Sequence, residues 1–129
     1  MKLNILLIED NEQNRYLISY LLERSGHAVA TATSGPAGIE MAGRVQPELI
    51  LLDIQLPGMD GYAVAQALRT EERFRRIPII AVTSYAMVGD REKALAAGCD
   101  GYIEKPIDPQ TFVSEIERFA PRQTKETST

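Results

Sequence analysis

The chain has 129 residues, of which 44% are hydrophobic and 25% charged, a composition that predicts one globular domain with a real core. Its net charge of −4 argues against a nucleic-acid-binding surface, which is ordinarily basic, and no apolar run approaches the length of a membrane span. The single cysteine, Cys99, excludes an intrachain disulfide. Since the N-terminus also enters a strand pattern without a signal peptide, we expect a cytoplasmic protein.

The first half of the chain alternates strand and helix patterns. An apolar run over residues 3–8 predicts the first strand, and aliphatic pairs spaced by four predict a helix over 13–24. A weaker alternation over 27–31 predicts the second strand. Ser34, followed by Gly and Pro, is a helix-start signal and is predicted to be the N-cap of a helix over 35–44.

The second half repeats this alternation. Residues 49–53 are four aliphatic side chains and Asp53, a run typical of a strand buried on both faces of a parallel sheet. After it the pattern predicts, in chain order, a helix that opens at residue 59 or 60, a strand over 79–83, a helix over 88–97, a strand over 101–104 and a helix over 109–120 that begins at Pro109. The inward face of the first of these helices is predicted to carry Gly61, Val64, Ala65 and Leu68.

Regular alternation of strands and helices predicts an α/β fold. We expect a flavodoxin-like, doubly wound parallel sheet of the (βα)5 type with strand order 2-1-3-4-5. The domain is predicted to cover residues 1–120, with a flexible polar tail over 121–129. Such folds bind ligands at the carboxyl ends of the strands where the strand order reverses, which here lies between the first and third strands.

Acidic residues stand at the carboxyl ends of the two strands that flank this crevice. Glu9 and Asp10 follow the first strand, and Asp53 ends the third. Three converging carboxylates repel one another, so a cation must offset their charge, and Mg²⁺ takes oxygen ligands of this kind. We expect Asp10 and Asp53 to bind it directly, the backbone carbonyl of Gln55 to be a third ligand, and Glu9 to bind directly or through a water.

Polar residues also stand at the carboxyl ends of the fourth and fifth strands. Lys105 supplies a positive charge suited to pairing with Asp53 or with a phosphoryl group, and Thr83 supplies a hydroxyl that can donate to a phosphoryl oxygen. An aspartate can act as a nucleophile that carries an acyl phosphate, and its formation requires neutralisation of the phosphoryl oxygens. The set therefore fits phosphoryl transfer to Asp53.

Each of these residues has a simpler interpretation when it is taken alone. A carboxylate at a strand end is usually a helix cap or a turn former, Thr83 could cap the next helix, and Lys105 could be a loop charge. Their coincidence at four strand ends favours a site. Two other side chains are interpreted as structural, His27 because it begins a predicted edge strand and Cys99 as a buried, unreactive thiol.

Four motifs at the strand ends combine into a specific pattern. They are the pair Glu9-Asp10 with the Asn that follows, the run LLDIQLPGMDG around Asp53, the sequence AVT that ends at Thr83, and the pair Lys105-Pro106. Together they closely resemble the receiver domain of two-component response regulators, over about residues 3–120. A Glu-Asp pair in place of Asp-Asp is a common variant in that family.

The resemblance implies a phosphoacceptor switch rather than an enzyme with a separate substrate. Asp53 would accept a phosphoryl group from a histidine of a sensor kinase or a phosphotransfer protein. The ion would be Mg²⁺, with Mn²⁺ possible, held by Glu9, Asp10, Asp53 and the Gln55 carbonyl. Lys105 would be the characteristic lysine of the family, and its peptide bond to the following proline would be cis.

The resemblance also implies a conformational output. A phosphoryl group on Asp53 would draw Thr83 toward it, and Tyr102, as the switch aromatic, would rotate inward. The face made by the fourth helix, the fifth strand and the fifth helix would then bind a downstream protein effector. Gln55 and Tyr85, two residues after Asp53 and Thr83, would lie at the rim of the crevice and tune the lifetime of the phosphate.

Other functions fit the residues less well. A haloacid-dehalogenase-type aspartyl phosphatase needs a second Asp two residues after the nucleophile, where this chain has Gln55. A flavin-binding protein needs a phosphate loop rich in Ser, Thr and Gly after the first strand, where this chain is acidic. A transcription factor needs a DNA-binding domain, and about nine residues after the last predicted helix leave no room for one.

The start at Met1 and the polar tail favour a stand-alone regulator, and the alternative is a receiver module of a hybrid histidine kinase. We expect a monomer or a weak homodimer that contacts proteins, and neither nucleic acid nor membrane.

Overall fold

The computed structural model describes residues 2–84 and 88–120. They form a five-stranded parallel sheet in the order β2-β1-β3-β4-β5. The strands are β1 (Asn4–Ile8), β2 (Ala28–Ala32), β3 (Leu49–Asp53), β4 (Ile79–Thr83) and β5 (Gly101–Glu104). This order confirms the flavodoxin-like α/β fold that the sequence predicts. The predicted tail over 121–129 and Tyr85 lie outside the described residues.

Within these residues, five α-helices alternate with the strands. They are α1 (Glu12–Arg24), α2 (Gly35–Val45), α3 (Gly61–Arg69), α4 (Asp90–Ala96) and α5 (Phe112–Glu117), with a short 3₁₀-helix at Glu72–Phe74. Three of them begin at a capping side chain, since Asn11, Ser34 and Asp60 each accept a hydrogen bond from the main-chain N–H three residues on. No helix in the described ranges is long and apolar enough to cross a membrane.

The start of α5 corrects the sequence prediction, because the helix begins at Phe112 and not at Pro109. Asp108 organises a separate turn in front of it. Its side chain accepts the N–H of Gln110, and its carbonyl accepts the N–H groups of Thr111 and Phe112. Since these bonds satisfy the main chain before the helix starts, the proline lies in a turn. The helix also ends three residues earlier than the apolar stripe suggests.

Two other boundaries differ from the prediction. α4 begins at Asp90 and not at residue 88, because Gly89 has a φ of 92°, a left-handed conformation that a right-handed helix does not contain. β2 begins at Ala28 and not at His27, because the N–H of His27 closes the end of α1 by donating to the carbonyl of Leu22. In both places the local main-chain conformation or hydrogen bonding sets the residue at which the element begins.

The core consists of two apolar layers, one on each face of the sheet. Alternate residues of β1 and β3 contribute to opposite layers, as the period of two in a strand requires. α2, α3 and α4 cover one layer, and α1 and α5 cover the other. The predicted inward face of α3 is confirmed, since its four residues are all buried: Gly61, Val64, Ala65 and Leu68. The strand ends are therefore held on a rigid base.

His27 is structural, as the sequence predicts. Its ring is buried, and Nδ1 accepts the N–H of Leu3 at 3.0 Å. Nε2 lies 2.8 Å from the Oε2 atom of Glu117, so it carries the proton and donates it. The side chain thus joins the start of the sheet to α5, at the edge opposite the acidic crevice.

Arg69, the last residue of α3, holds together the loops at the amino ends of the strands. Its guanidinium donates to the carbonyls of Phe74, Ile77 and Gly98 at 2.7–2.9 Å, and to the carboxylate of Asp100 at 2.8 Å. One half-buried cation thereby satisfies main-chain groups from the segments before β4 and before β5.

We expect Arg69→Met to lower the free energy of unfolding by about 2–4 kcal/mol, because it leaves several partly buried carbonyls without a donor. The measurement is urea denaturation of both proteins. The matched control is Arg75→Met, which breaks an exposed pair with Glu72 and is expected to cost less than about 1 kcal/mol. Equal losses in the two variants would contradict this role of Arg69.

Candidate functional site

The polar residues predicted to form the site lie together at the carboxyl edge of the sheet. Asp53 is the last residue of β3, and Val82 of β4 is its partner in the parallel register. β1, which Glu9 and Asp10 follow, pairs with the other side of β3. Lys105 follows β5, and its side chain reaches across to this group. The carboxyl ends of three neighbouring strands and one long side chain therefore form the crevice.

Three carboxylates form a cluster in this crevice. One oxygen from each of Glu9, Asp10 and Asp53 lies within 4.8 Å of the others. Glu9 and Asp53 are 1% and 4% exposed, whereas Asp10 faces solvent. Oxygen ligands at this spacing, two buried and one open, fit a hard cation such as Mg²⁺ that keeps part of its water shell.

Lys105 offsets part of the negative charge. Its Nζ lies 2.9 Å from Oε1 of Glu9 and 3.7 Å from Oδ2 of Asp53. The expected contact with Asp53 is therefore present, but the shorter one is with Glu9, because these two buried side chains meet directly. One ammonium group cannot balance three carboxylates. The Lys105–Pro106 peptide bond is cis.

The protonation of Glu9 reflects this imbalance. Burial and, to a lesser extent, the neighbouring Asp53 raise the pKa of its carboxyl to about 7, against the lowering effect of Lys105. A proton on Glu9 relieves the repulsion when no cation is bound. Because a divalent cation relieves the same repulsion and takes the ionised form, the donor set fits a metal that replaces this proton.

The carboxylate of Asp53 is oriented by the loop that follows it. Its Oδ1 accepts the N–H of Gln55 at 2.9 Å, and its Oδ2 faces Lys105. The carboxylate is therefore fixed between a main-chain donor and a cation, with both oxygens at the crevice. A carboxylate held in this way can act as a nucleophile toward phosphorus.

Thr83 and Tyr102 lie on the same face of the sheet. Tyr102 is the register partner of Ala81, and Thr83 is two residues further along β4, so the two side chains are diagonal neighbours. Thr83 is buried. The hydroxyl of Tyr102 is also buried and has no hydrogen-bond partner among the described residues, and the Arg91 guanidinium lies 5.7 Å from its ring centroid. Burial raises the pKa of Tyr102.

One residue and one contact at the site were not found by sequence reasoning. Arg15 donates to the carbonyls of Glu9 and Asp10 at 3.1 and 3.3 Å, which holds the turn after β1. The carboxamide of Gln55 accepts the N–H of Ser84 at 3.3 Å, so it contacts the loop after β4. Arg15 could have been noticed as a cation in the first turn after the acidic pair. No sequence signal gives the contact of Gln55.

Cys99 lies outside this site and is buried, as predicted. Burial raises the pKa of its thiol to about 11. We therefore expect it to react with an aromatic disulfide reagent at pH 8 at least about a hundredfold more slowly in the native protein than in urea, because the thiolate is scarce and shielded. The release of coloured thiolate measures the rate. Native reactivity equal to that in urea would contradict the buried assignment.

Comparison with known proteins gives one consistent result. A family model described as the response regulator receiver domain matches residues 5–117. The polar-differentiation response regulator DivK of Brucella ovis is 40% identical over 119 residues, which is 92% of this chain and 97% of that protein.

Solved structures agree with this match. The receiver domain of a sensor histidine kinase from Pseudomonas aeruginosa, with a magnesium ion coordinated in its active site cleft, is 36% identical with a TM-score of 0.84, covering 92% of this chain and 98% of that one. The chemotaxis protein CheY4 of Vibrio cholerae has a TM-score of 0.87 at 24% identity, over 92% and 99% of the two chains, which shows a common fold.

Proposed function

The chain belongs to the response regulator receiver family, and from this membership we propose that Asp53 accepts a phosphoryl group from the histidine of a sensor kinase or a phosphotransfer protein, in a reaction that requires Mg²⁺. Receiver domains are the phosphoacceptor switches of two-component signalling, and they interact with proteins of these two kinds. The observation that carries the proposal is the placement of Asp53, buried at the end of β3 beside two other carboxylates and with Lys105 Nζ 3.7 Å from its Oδ2.

The metal would be held by Glu9, Asp10, Asp53 and the backbone carbonyl of Gln55. The cluster of three carboxylate oxygens supports Mg²⁺, with Mn²⁺ as the substitute, and a magnesium ion is coordinated in the active site cleft of the Pseudomonas aeruginosa relative. When bound, the ion supplies positive charge that the phosphoryl oxygens and the carboxylates share.

Asp53 is the nucleophile of the proposed transfer. A carboxylate oxygen of Asp53 attacks phosphorus, the new oxygen–phosphorus bond forms, and the phosphorus–nitrogen bond of phosphohistidine breaks. The electron pair of that bond stays with the imidazole, which takes up a proton as it leaves. Lys105 shifts from Glu9 toward the phosphoryl group, and the Thr83 hydroxyl donates to one of its oxygens.

Thr83 and Tyr102 are proposed to report the state of Asp53. A buried hydroxyl without a hydrogen-bond partner destabilises the present rotamer of Tyr102 by about 1–3 kcal/mol. This cost brings an alternative rotamer of the ring closer in free energy. A phosphoryl group that draws Thr83 toward Asp53 changes the space beside Tyr102 and shifts the equilibrium between the rotamers of its ring. The surface of α4, β5 and α5 then changes for a downstream protein.

We expect phosphorylation to shift the ring NMR signals of Tyr102 in the natural protein. Thr83→Ala should remove this shift and slow labelling by about tenfold, because one donor to the phosphoryl group is lost. Thr83→Ser keeps the hydroxyl and should retain the shift. A normal Tyr102 shift in Thr83→Ala would show that the two residues are not coupled.

We propose a stand-alone regulator whose receiver domain covers residues 1–120, a monomer or weak homodimer in the cytoplasm, in which Gln55 and Tyr85 tune the phosphate lifetime. The length match to DivK supports the stand-alone form, because 97% of that protein aligns. A receiver module of a hybrid kinase is the second candidate, supported by the 36% identity to a receiver domain of a sensor histidine kinase.

The experiment is incubation of the protein with Mg²⁺ and acetyl phosphate, followed by intact-mass analysis. We expect the addition of a single phosphoryl group that is stable in acid and released by base, which is the behaviour of an acyl phosphate. Chelation of Mg²⁺ should prevent it. No labelling under these conditions, or acid-labile labelling, would overturn the proposal.

A further inference from the structure

The sheet opens between β3 and β4 directly beyond Asp53. The last ladder bond between the two strands is donated by the N–H of Ile54 to the carbonyl of Val82 at 3.2 Å. In a continuing parallel ladder the N–H of Ser84 would donate to the carbonyl of Ile54. That carbonyl instead accepts the N–H of Gly61 at 2.9 Å, as the first residue of α3 approaches the strand. The N–H of Ser84 therefore needs another acceptor.

The side chain of Gln55 supplies this acceptor. Its Oε1 lies 3.3 Å from the nitrogen of Ser84, while the main-chain N–H of the same residue donates to Oδ1 of Asp53 at 2.9 Å. Gln55 thus spans the gap between the loop after β3 and the loop after β4, beside the carboxylate. The carboxamide oxygen takes up a main-chain donor at the mouth of the crevice.

We propose that Gln55 is a positioning residue whose carboxamide must release the N–H of Ser84 before that donor can bind a phosphoryl oxygen on Asp53. This inference rests on the proposed phosphorylation of Asp53. A phosphoryl group carries three terminal oxygens and needs donors from both loops, whereas the unmodified protein has satisfied the donor of Ser84 internally. The bridge therefore opposes phosphorylation and lowers its rate.

The test uses two measurements on the full chain. The first, without metal or phosphodonor, is the amide proton shift and hydrogen-exchange rate of Ser84 by NMR. The second is the initial rate of labelling by acetyl phosphate with Mg²⁺, in which an oxygen of Asp53 forms the bond to phosphorus and acetate leaves with the electron pair of the broken phosphorus–oxygen bond. Initial rates are used because they exclude later loss of the phosphate.

Gln55→Ala should move the Ser84 amide signal, accelerate its exchange, and raise the initial labelling rate by about threefold to tenfold, the range that one net hydrogen bond represents. Gln55→Glu retains an acceptor and should keep Ser84 protected, without the increase in rate. Gln66→Ala removes an exposed glutamine within α3 and should change neither measurement.

The outcomes separate this inference from the proposed function. If the natural protein is labelled but Gln55→Ala has an unchanged Ser84 amide or an unchanged or lower rate, the role of Gln55 is wrong and the role of Asp53 stands. If the natural protein is not labelled, the proposed function fails and the regulatory role of Gln55 fails with it. The amide measurement then decides only whether the bridge exists.

Discussion

Asp53→Asn is expected to abolish labelling by acetyl phosphate while the protein remains folded. The amide oxygen is a poor nucleophile, so the acyl phosphate cannot form. The same change removes one of three clustered carboxylates, two of which are buried, and it keeps the size of the side chain. Relief of that repulsion should leave the free energy of unfolding of the metal-free protein unchanged or higher by about 1 kcal/mol.

The combination of lost labelling and retained stability would identify Asp53 as the acceptor. Intact mass gives the first quantity and urea denaturation the second. The control is Asp60→Asn, which alters an exposed carboxylate seven positions along the chain and keeps a side chain that can cap α3. It should be labelled at the normal rate. Labelling of Asp53→Asn at the level of this control would refute the assignment.

Much of this site follows from the sequence because its residues sit where elements end. The four aliphatic residues before Asp53 require a central strand, and a central parallel strand fixes where its last side chain lies. The same reasoning places Glu9 after β1 and Thr83 at the end of β4. These positions depend on hydrophobic pattern and chain direction, which are local properties of the sequence.

The contacts between loops could not be derived in this way. Lys105 lies closer to Glu9 than to Asp53, and Arg69 satisfies carbonyls from two loops, because the lengths and rotamers of long side chains decide such contacts after the fold has formed. The turn at Asp108 is similar, since its hydrogen bonds outweigh the preference of a proline for the first helical turn. In each case non-local geometry or competing local bonds decided the outcome.

Gly61 shows how closely the site depends on packing. A Cβ atom at this position would lie 2.6 Å from the carbonyl oxygen of Asp53 and 2.6 Å from the Cα atom of Ile54. Both are main-chain atoms of the tip of β3, so neither can move aside by a change of rotamer. The strand and α3 would have to separate by roughly 1 Å to restore ordinary contact.

We expect Gly61→Ala to lower the free energy of unfolding by about 2 kcal/mol and to slow the labelling of Asp53 by about a hundredfold. The loss of stability is the cost of overpacking, reduced by the better helix propensity of alanine. The loss of rate arises because the displaced tip of β3 carries the carboxylate that we propose as the acceptor. Urea denaturation and initial labelling rates measure the two effects.

Gly43→Ala is the matched control for this substitution. Gly43 lies within α2, and the nearest atoms to its added Cβ belong to the guanidinium of Arg73, the far end of an exposed, flexible side chain that can move away. Alanine there should raise the free energy of unfolding by up to about 1 kcal/mol and leave labelling unchanged. If Gly61→Ala behaved as this control does, α3 would not be what holds Asp53 in place, and the tight approach of its first residue to β3 would have no part in forming the acceptor site.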